Sequence, residues 1–206
     1  MIKLTDFQQD AIGELLNIGM GRASASLSEM VGEEVELSVP KVEISSHKEA
    51  QESIKSSAGE QVTAIKESFK GAFWGDALLI FPANQSLALV KALLKGEDLP
   101  MEVLSEMEQE ALTEVGNIIL NACLGSLSNI FKQSLEFSLP QYCHGHCRDI
   151  IKQDQNMSDS AGGVLILQMN FLLQTTRVNG YLTLLMDVDS LQALSKELES
   201  YFGVPN

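Results

Sequence analysis

Residues 9–40 read QDAIGELLNIGMGRASASLSEMVGEEVELSVP, and residues 109–140 read QEALTEVGNIILNACLGSLSNIFKQSLEFSLP. The two stretches align without a gap at an offset of 100 residues. The first-copy residues that recur identically include Gln9, Ala11, Glu14, Asn17, Ile18, Leu27, Ser28, Glu36, Ser38 and Pro40. A period this long is unlike that of a solenoid, so two copies predict a duplicated half-domain with pseudo-two-fold symmetry.

Each half predicts the same element order of helix, strand, strand, strand and helix. After the repeated helix, alternating apolar residues predict strands at 34–39, 61–69 and 72–81, and in the second half at 134–139, 163–174 and 179–187. Hairpin turns are expected near residues 70–71 and 177–180, and closing helices at 84–94 and 189–202. Hydrophilic connections are expected at 45–60 and 144–160. The predicted fold is α+β, with a mostly antiparallel sheet and flanking helices.

The chain is expected to form one domain, 1–206, made of two repeats at about 1–98 and 99–206. Two capping boxes are predicted at the starts of the repeated helices, one from Thr5 and Gln8 and the other from Ser105 and Glu108.

The charge balance argues against nucleic acid and anionic membranes as partners. The chain has 14 basic and 28 acidic residues, and a formal net charge of -14. Such a protein repels phosphate backbones and acidic lipid headgroups. The sequence indicates neither a signal peptide nor a membrane span, and its three cysteines are an odd number, so a reducing cytoplasmic location is expected.

The repeated helix presents a polar stripe. At 100° per residue, Asp10, Glu14 and Asn17 fall within an arc of about 60°. Small residues continue the stripe at Gly21, Ser24 and Ser28, and the second copy carries Glu110, Glu114, Asn117, Asn121 and Ser128. The other side, expected to face the core, holds Ala11, Ile12, Leu15, Leu16, Ile18 and Ala23.

Two interpretations of this stripe are open. Most polar helix faces are only solvated, and the glycines could serve helix packing. However, asparagine is a poor helix former because its side chain competes for backbone hydrogen bonds. Its recurrence with Glu in two otherwise diverged copies therefore favours a function.

The spacing resembles that of the CheC/CheX/FliY phosphatases of bacterial chemotaxis, which carry [Asp/Ser]-x3-Glu-x2-Asn-x22-Pro. Asp10, Glu14, Asn17 and Pro40 fit every position. The second copy fits with Glu114, Asn117 and Pro140, but Glu110 replaces Asp or Ser. Two motifs, and no room for a C-terminal switch domain before residue 206, make the chain most similar to CheC within this family.

The resemblance implies hydrolysis of the aspartyl phosphate of a CheY-like response regulator, in chemotaxis or another two-component pathway. It implies that Asn17 and Asn117 orient the attacking water, and that Glu14 and Glu114 pair with a lysine of the regulator. Docking is expected to involve Asp10, Gly21, Ser24, Glu110 and Asn121. No cofactor of the protein's own is implied, and Mg²⁺ is expected in the regulator.

These residue types suit the chemistry. Phosphoryl transfer depends mainly on positioning and electrostatics, and a carboxamide can both accept from and donate to a water without bringing charge to the phosphoryl group. The alternative is a non-catalytic module that binds a response regulator or a CheD-like deamidase.

A second conspicuous segment is Cys143-His144-Gly145-His146-Cys147. Cysteine and histidine at this density can bind zinc. However, consecutive residues do not easily place four ligands tetrahedrally, so a strand or loop is favoured and metal binding by Cys143, His144, His146 and Cys147 is the lesser hypothesis. The sequence suggests no catalytic Ser-His-Asp set, and no phosphate-binding P-loop or nucleophile-elbow motif.

Overall fold

A computed structural model describes residues 5–94, 101–151, 162–173 and 176–202. The helices are α1 (Asp6–Val31), α2 (His47–Ala58), α3 (Ala83–Leu93), α4 (Met101–Phe131), α5 (Cys147–Ile150) and α6 (Val188–Phe202). The strands are β1 (Val35–Ser45), β2 (Gln61–Gly71), β3 (Gly75–Pro82), β4 (Leu135–Phe137), β5 (Gln141–His146), β6 (Gly162–Leu173) and β7 (Thr176–Asp187). The α+β class and the flanking helices are as predicted.

The strands form one antiparallel sheet in the order β1-β6-β7-β3-β2-β4, and β5 pairs with β2 beside β4. The first strand of each half therefore pairs with a strand of the other half. The hairpins β2–β3 and β6–β7 meet where β3 pairs with β7 in the middle of the sheet. The strand order is symmetric: if β1, β2 and β3 are exchanged for β4, β6 and β7, the same order is read from the opposite edge of the sheet. The duplication itself stays a prediction.

Helices cover both faces of the sheet. The larger core cluster lies on one face, where α1, α3, α4 and α6 bury residues such as Leu16, Leu89, Leu120 and Leu194. The smaller cluster lies on the other face, where Ala50, Ile54 and Ala58 of α2 pack with α5. The two long repeated helices thus lie on the same side of the sheet.

The predicted connection at 45–60 is wrong, because it contains α2. The helix has a capping box in which the Ser46 hydroxyl accepts from the Glu49 N–H, and the Glu49 carboxylate accepts from the Ser46 N–H. Its buried residues, Ala50, Ile54 and Ala58, recur every fourth position. Both signals are present in the sequence, but the helix is otherwise so polar that it was predicted as a loop.

The first capping box is confirmed and the second is wrong. The Thr5 hydroxyl accepts from the Gln8 N–H and the Gln8 side chain accepts from the Thr5 N–H, at 3.2 Å and 2.9 Å. Ser105 instead lies inside α4. The Glu108 carboxylate accepts from the Ser86 hydroxyl of α3 at 2.6 Å and thereby ties the two helices together.

Several predicted strand ends are displaced. β1 does not stop at Pro40 but continues to Ser45, with a register shift between Ser38 and Lys41. A proline, which lacks an N–H, is tolerated at such an irregularity. The predicted strand 134–139 ends at Phe137, and the predicted turn at 177–180 lies within β7. The predicted connection 144–160 begins within β5 and α5, and its later part lies outside the described residues.

Within the described residues, no helix is both long enough and apolar enough to cross a membrane.

Candidate functional site

The first motif forms one wall of an open groove between α1 and β1. The groove has a volume of about 470 Å³ and is lined by Gln9, Asp10, Gly13, Glu14, Asn17, Val39, Pro40, Lys41, Val42 and Glu43. All four motif residues, Asp10, Glu14, Asn17 and Pro40, are therefore brought together, although Pro40 comes from the strand. Asp10 and Glu14 are exposed and Asn17 is half-buried.

Asn17 connects the helix to the strand. Its Oδ1 accepts from the Val39 N–H at 2.9 Å, and its Nδ2 donates to the Val39 carbonyl at 3.4 Å. Val39 is only 5% exposed and directly precedes Pro40. The spacing between the motif asparagine and proline therefore has a structural cause, because the carboxamide holds the backbone beside the proline.

Two serines extend this connection along β1. The Ser24 hydroxyl accepts from the Leu37 N–H and the Ser28 hydroxyl accepts from the Val35 N–H, each at 3.0 Å. With Val39 bonded to Asn17, every second residue from Val35 to Val39 donates to α1. Among the described strands β1 is at an edge of the sheet, so these N–H groups would otherwise have no partner there.

This contact changes how the small residues of the stripe are interpreted. Ser24 was predicted to dock a partner, yet its hydroxyl already accepts from β1 of the same chain. Gly21 is exposed, and a Cβ added there would meet nothing within 4 Å, so that position is open. Docking by Gly21 and Ser24 stays a prediction.

The groove carries more negative than positive groups. Asp10, Glu14 and Glu43 face one cation, Lys41, which forms an ion pair with Glu43. Within the described residues, Asp10 and Glu14 make neither a hydrogen bond nor an ion pair, so both carboxylates are available to an external cation. Lys41 and Glu43 were not predicted; they belong to the groove because β1 continues past Pro40.

The second motif has a different geometry. Glu110 and Glu114 are exposed on α4, and Asn117 and Asn121 are half-buried. The Asn117 Oδ1 accepts from the Asn121 Nδ2 at 2.7 Å. Leu139, which corresponds to Val39, is 84% exposed.

One predicted core position on α1 is wrong. Ile18 is 49% exposed, whereas Ala11, Ile12, Leu15, Leu16 and Ala23 are buried as predicted. Its counterpart Ile118 is partly buried against the larger core cluster. The chain therefore covers α4 more fully than α1 at this position.

The Cys–His segment forms β5 and the start of α5, which favours the predicted strand. Successive side chains of a strand alternate between faces, so Cys143 and His144 diverge. The His144 Nδ1 lies 3.1 Å from the Thr63 hydroxyl, and the His146 ring lies beside Gln61. Burial raises the pKa of the Cys147 thiol to about 11 and also raises that of Cys143.

In the described part of the chain, no three His, Cys, Asp or Glu side chains are grouped as metal ligands. The geometry therefore gives the zinc hypothesis no support.

Comparison with known proteins finds similarity to the same family that the motif resembles. Residues 7–44 match the sequence profile of the CheC-like family. The flagellar motor switch phosphatase FliY of Bacillus subtilis (strain 168) is 24% identical over 139 residues, which are 67% of this chain and 36% of FliY. The CheY-P phosphatase CheC of the same organism is 27% identical over 136 residues, 65% of each protein. The matches thus span between about a third and two thirds of these relatives.

Solved structures show the same fold over nearly the whole chain. Thermotoga maritima FliY superposes with a TM-score of 0.76 at 20% identity, covering 97% of this chain and 100% of that one. The FliM middle domain from H. pylori superposes with a TM-score of 0.62 at 11% identity, covering 94% and 99%. The chain is therefore similar in sequence to the CheC-like family over its first helix and strand, and it shares the fold of FliY and FliM.

Proposed function

We propose that the protein is a phosphatase that hydrolyses the aspartyl phosphate of a CheY-like response regulator, in chemotaxis or another two-component pathway. The observation that carries the proposal is the convergence of Asp10, Glu14, Asn17 and Pro40 on one open groove. The same four residues lie inside the segment that matches the CheC-like family, 7–44. Two relatives are named as phosphatases, and one name specifies CheY-P.

Asn17 would orient the water that attacks phosphorus. A carboxamide has two N–H groups and two acceptor lone pairs, and Val39 engages one of each. One N–H and one lone pair therefore remain for a water, while the strand holds the carboxamide in place. The water attacks as the bond between phosphorus and the aspartyl oxygen breaks, which releases inorganic phosphate and a free carboxylate.

Glu14 would fix the helix on the regulator. Its carboxylate is exposed and has no partner within the described residues, so it can pair with a lysine ammonium of the regulator. Asp10 lies one turn earlier on the same stripe and adds a second carboxylate to the docking surface. The regulator, rather than this chain, would supply Mg²⁺, which neutralises phosphoryl charge.

The test is phosphate release from a regulator charged with acetyl phosphate, with and without this protein. Asn17→Ala and Asn117→Ala should each lower the rate of dephosphorylation, and the double variant should leave only the regulator's own hydrolysis. Glu14→Ala and Glu114→Ala should act in the same direction. A double Asn17→Ala, Asn117→Ala variant as active as the wild-type protein would contradict the proposal.

Folding must be measured on the same variants. Asn17→Ala leaves the buried Val39 N–H without its acceptor, which costs about 1–3 kcal/mol. Glu14→Ala removes no side-chain hydrogen bond or ion pair within the described residues and is the cleaner first-site variant. Asn129→Ala is the matched control, because Asn129 is exposed near the end of α4 and makes no side-chain hydrogen bond within the described residues.

A non-catalytic module remains the second candidate, and one observation favours it. The Asn17 carboxamide makes two hydrogen bonds to the strand backbone, so a structural role alone could account for its presence. Such a module would bind a phosphorylated regulator, or a CheD-like deamidase, without hydrolysis. Saturable binding of the regulator with no acceleration of phosphate release would favour this candidate.

A further inference from the structure

The two motif asparagines are held by different partners. Asn17 is held by the backbone of Val39, at 2.9 Å and 3.4 Å. Asn117 is held by one side chain, since its Oδ1 accepts from the Asn121 Nδ2 at 2.7 Å. Asn121 is one turn further along α4, so an i to i+4 contact on the helix face replaces a contact to the strand.

The strand contact is missing from the second copy because the strand is interrupted there. β4 ends at Phe137 and β5 begins at Gln141. The backbone of Ser138 is tied to β2, since its N–H donates to the Ser68 carbonyl at 2.9 Å and the Ser68 N–H donates to the Ser138 hydroxyl at 2.9 Å. Leu139 then lies exposed to solvent and not against the helix.

The first copy cannot form the side-chain contact that holds Asn117. Gly21 occupies the position of Asn121 and has no side chain. Conversely, Leu124 occupies the position of Ser24 and is buried, so the second copy lacks that serine contact as well. Each copy therefore has one of the two ways of holding the carboxamide and lacks the other.

We propose that Asn121 is a positioning residue for Asn117, and that its amide fixes the Asn117 carbonyl so that the Asn117 amide can orient the attacking water. The inference rests on the proposed phosphatase function and deepens it. Within the described residues, the Asn117 Nδ2 has no acceptor, so both of its N–H groups are available to water or a phosphoryl oxygen. Asn121 acts through Asn117 and does not itself contact the substrate.

This role differs from docking in a measurable way. A residue that contacts the regulator contributes to its binding, so its loss raises KM. A residue that orients the catalytic carboxamide contributes after binding, so its loss lowers kcat and leaves KM unchanged. In addition, substituting a positioning residue has no further effect on kcat once Asn117 itself has been replaced.

The experiment uses the full chain with Glu14→Ala as background, so that turnover reports the second copy. Dephosphorylation is measured against increasing concentration of acetyl-phosphate-charged regulator for Asn121→Ala, Asn121→Gln, Asn117→Ala and the double variant. Asn121→Ala should lower kcat by about two- to tenfold, the range expected for one hydrogen bond, at unchanged KM. Asn121→Gln, which keeps an amide donor, should recover part of this loss. Adding Asn121→Ala to Asn117→Ala should cause no further loss.

Asn129→Ala on the same helix should match the background. A raised KM at unchanged kcat for Asn121→Ala would overturn the inference in favour of docking, and full activity of this variant would overturn it as well. Both results would leave the proposed function standing. No acceleration by the wild-type protein would overturn the proposed function and this inference together.

Discussion

At the scale of single residues, the same side chain has different partners in the two copies. Asn17 connects a helix to the backbone of a strand, whereas Asn117 contacts another side chain of its own helix. The difference arises at two pairs of equivalent positions outside the motif. The first copy has Gly21 where the second has Asn121, and Val39 is buried whereas Leu139 is exposed. Identity at a motif position therefore does not imply an equivalent environment.

Glu67 is a further residue whose environment decides its chemistry. It lies on β2 between Ile65 and Phe69 of the larger core cluster and is 1% exposed. Its Oε2 has no hydrogen-bond partner. Burial raises the pKa of the Glu67 carboxyl from 4.5 to about 7. The strand register places Glu67 opposite the segment between β4 and β5. In the other half, the residue equivalent to Glu67 is Met169 of β6, which lies opposite the register shift of β1.

This burial predicts a pH-dependent stability. The folded protein binds the Glu67 proton more tightly than the unfolded chain does, because burial raises the pKa of this carboxyl. Its contribution to the free energy of unfolding is therefore fully present below pH 4.5 and is lost as the pH rises through about 7. Glu67→Gln and Glu67→Met should remove the dependence, and at pH 8 should be more stable than wild type by about 1–3 kcal/mol. Urea denaturation at pH 5 and pH 8 measures it. An equal difference between wild type and variant at both pH values would contradict the assignment.

At the scale of elements, the crossing of α1 and α4 depends on one glycine. A Cβ on Gly19 would lie 2.7 Å from the Cys123 Cα and 2.8 Å from the Ala122 carbonyl oxygen. Backbone atoms cannot yield as a flexible side chain can, so the two helices approach closely only at a glycine. Gly116 of α4 is also closely packed, but against a side chain, because a Cβ there would lie 2.5 Å from the Ile65 Cγ2 of β2.

The two glycines of the Gly19-Met20-Gly21 segment should therefore respond in opposite ways to alanine. Gly19→Ala should destabilise the fold by about 1–3 kcal/mol through steric overlap. Gly21→Ala meets nothing within 4 Å and should stabilise α1 by up to about 1 kcal/mol, because alanine is the better helix former. Chemical denaturation of both variants measures this. Equal effects would show that α1 and α4 do not cross closely at Gly19.

Gly21→Ala also tests the predicted docking surface. If the regulator covers this part of α1, the added methyl should weaken binding while the fold becomes more stable. Unchanged affinity would remove Gly21 from that surface.

At the scale of the whole molecule, the halves exchange strands. β1 belongs to the first half by sequence but pairs with β6, and β5 of the second half pairs with β2. The central contact, between β3 and β7, also joins the halves. Neither half contains the strand that pairs with its own first strand.

The halves should consequently not fold alone. Residues 1–98 expressed by themselves lack β6, which pairs with β1, and β7, which pairs with one side of β3. They also lack α4, on which α1 packs, so we expect no cooperatively folded monomer. Mixing with residues 99–206 should restore helical circular dichroism and cooperative unfolding. A folded monomer of 1–98, detected by size-exclusion chromatography and thermal unfolding, would contradict this prediction.

The sequence by itself determined the features that depend on local periodicity. The repeat predicted equivalent helices, and the capping pair at Thr5 and Gln8 marked where α1 begins. The alternation of apolar residues located the strands of both hairpins, whereas the predicted turns at 70–71 and 177–180 lie inside β2 and β7. Local signals did not predict an element correctly where few residues carried the signal or where a similar pattern occurred by chance. The polar surface of α2 obscured its three buried residues, and Ser105 resembles a cap although it lies inside α4.

Only the tertiary structure decided which strands pair and which groups the motif side chains contact. The spacing from Asn17 to Pro40 is visible in the sequence, but its cause is a bond to the Val39 N–H, 22 residues away. The replacement of that bond by Asn121 follows from the break between β4 and β5, which the identical prolines Pro40 and Pro140 do not reveal. The physical reason is that periodicity specifies which face of an element is buried, whereas hydrogen-bond partners depend on where the rest of the chain packs.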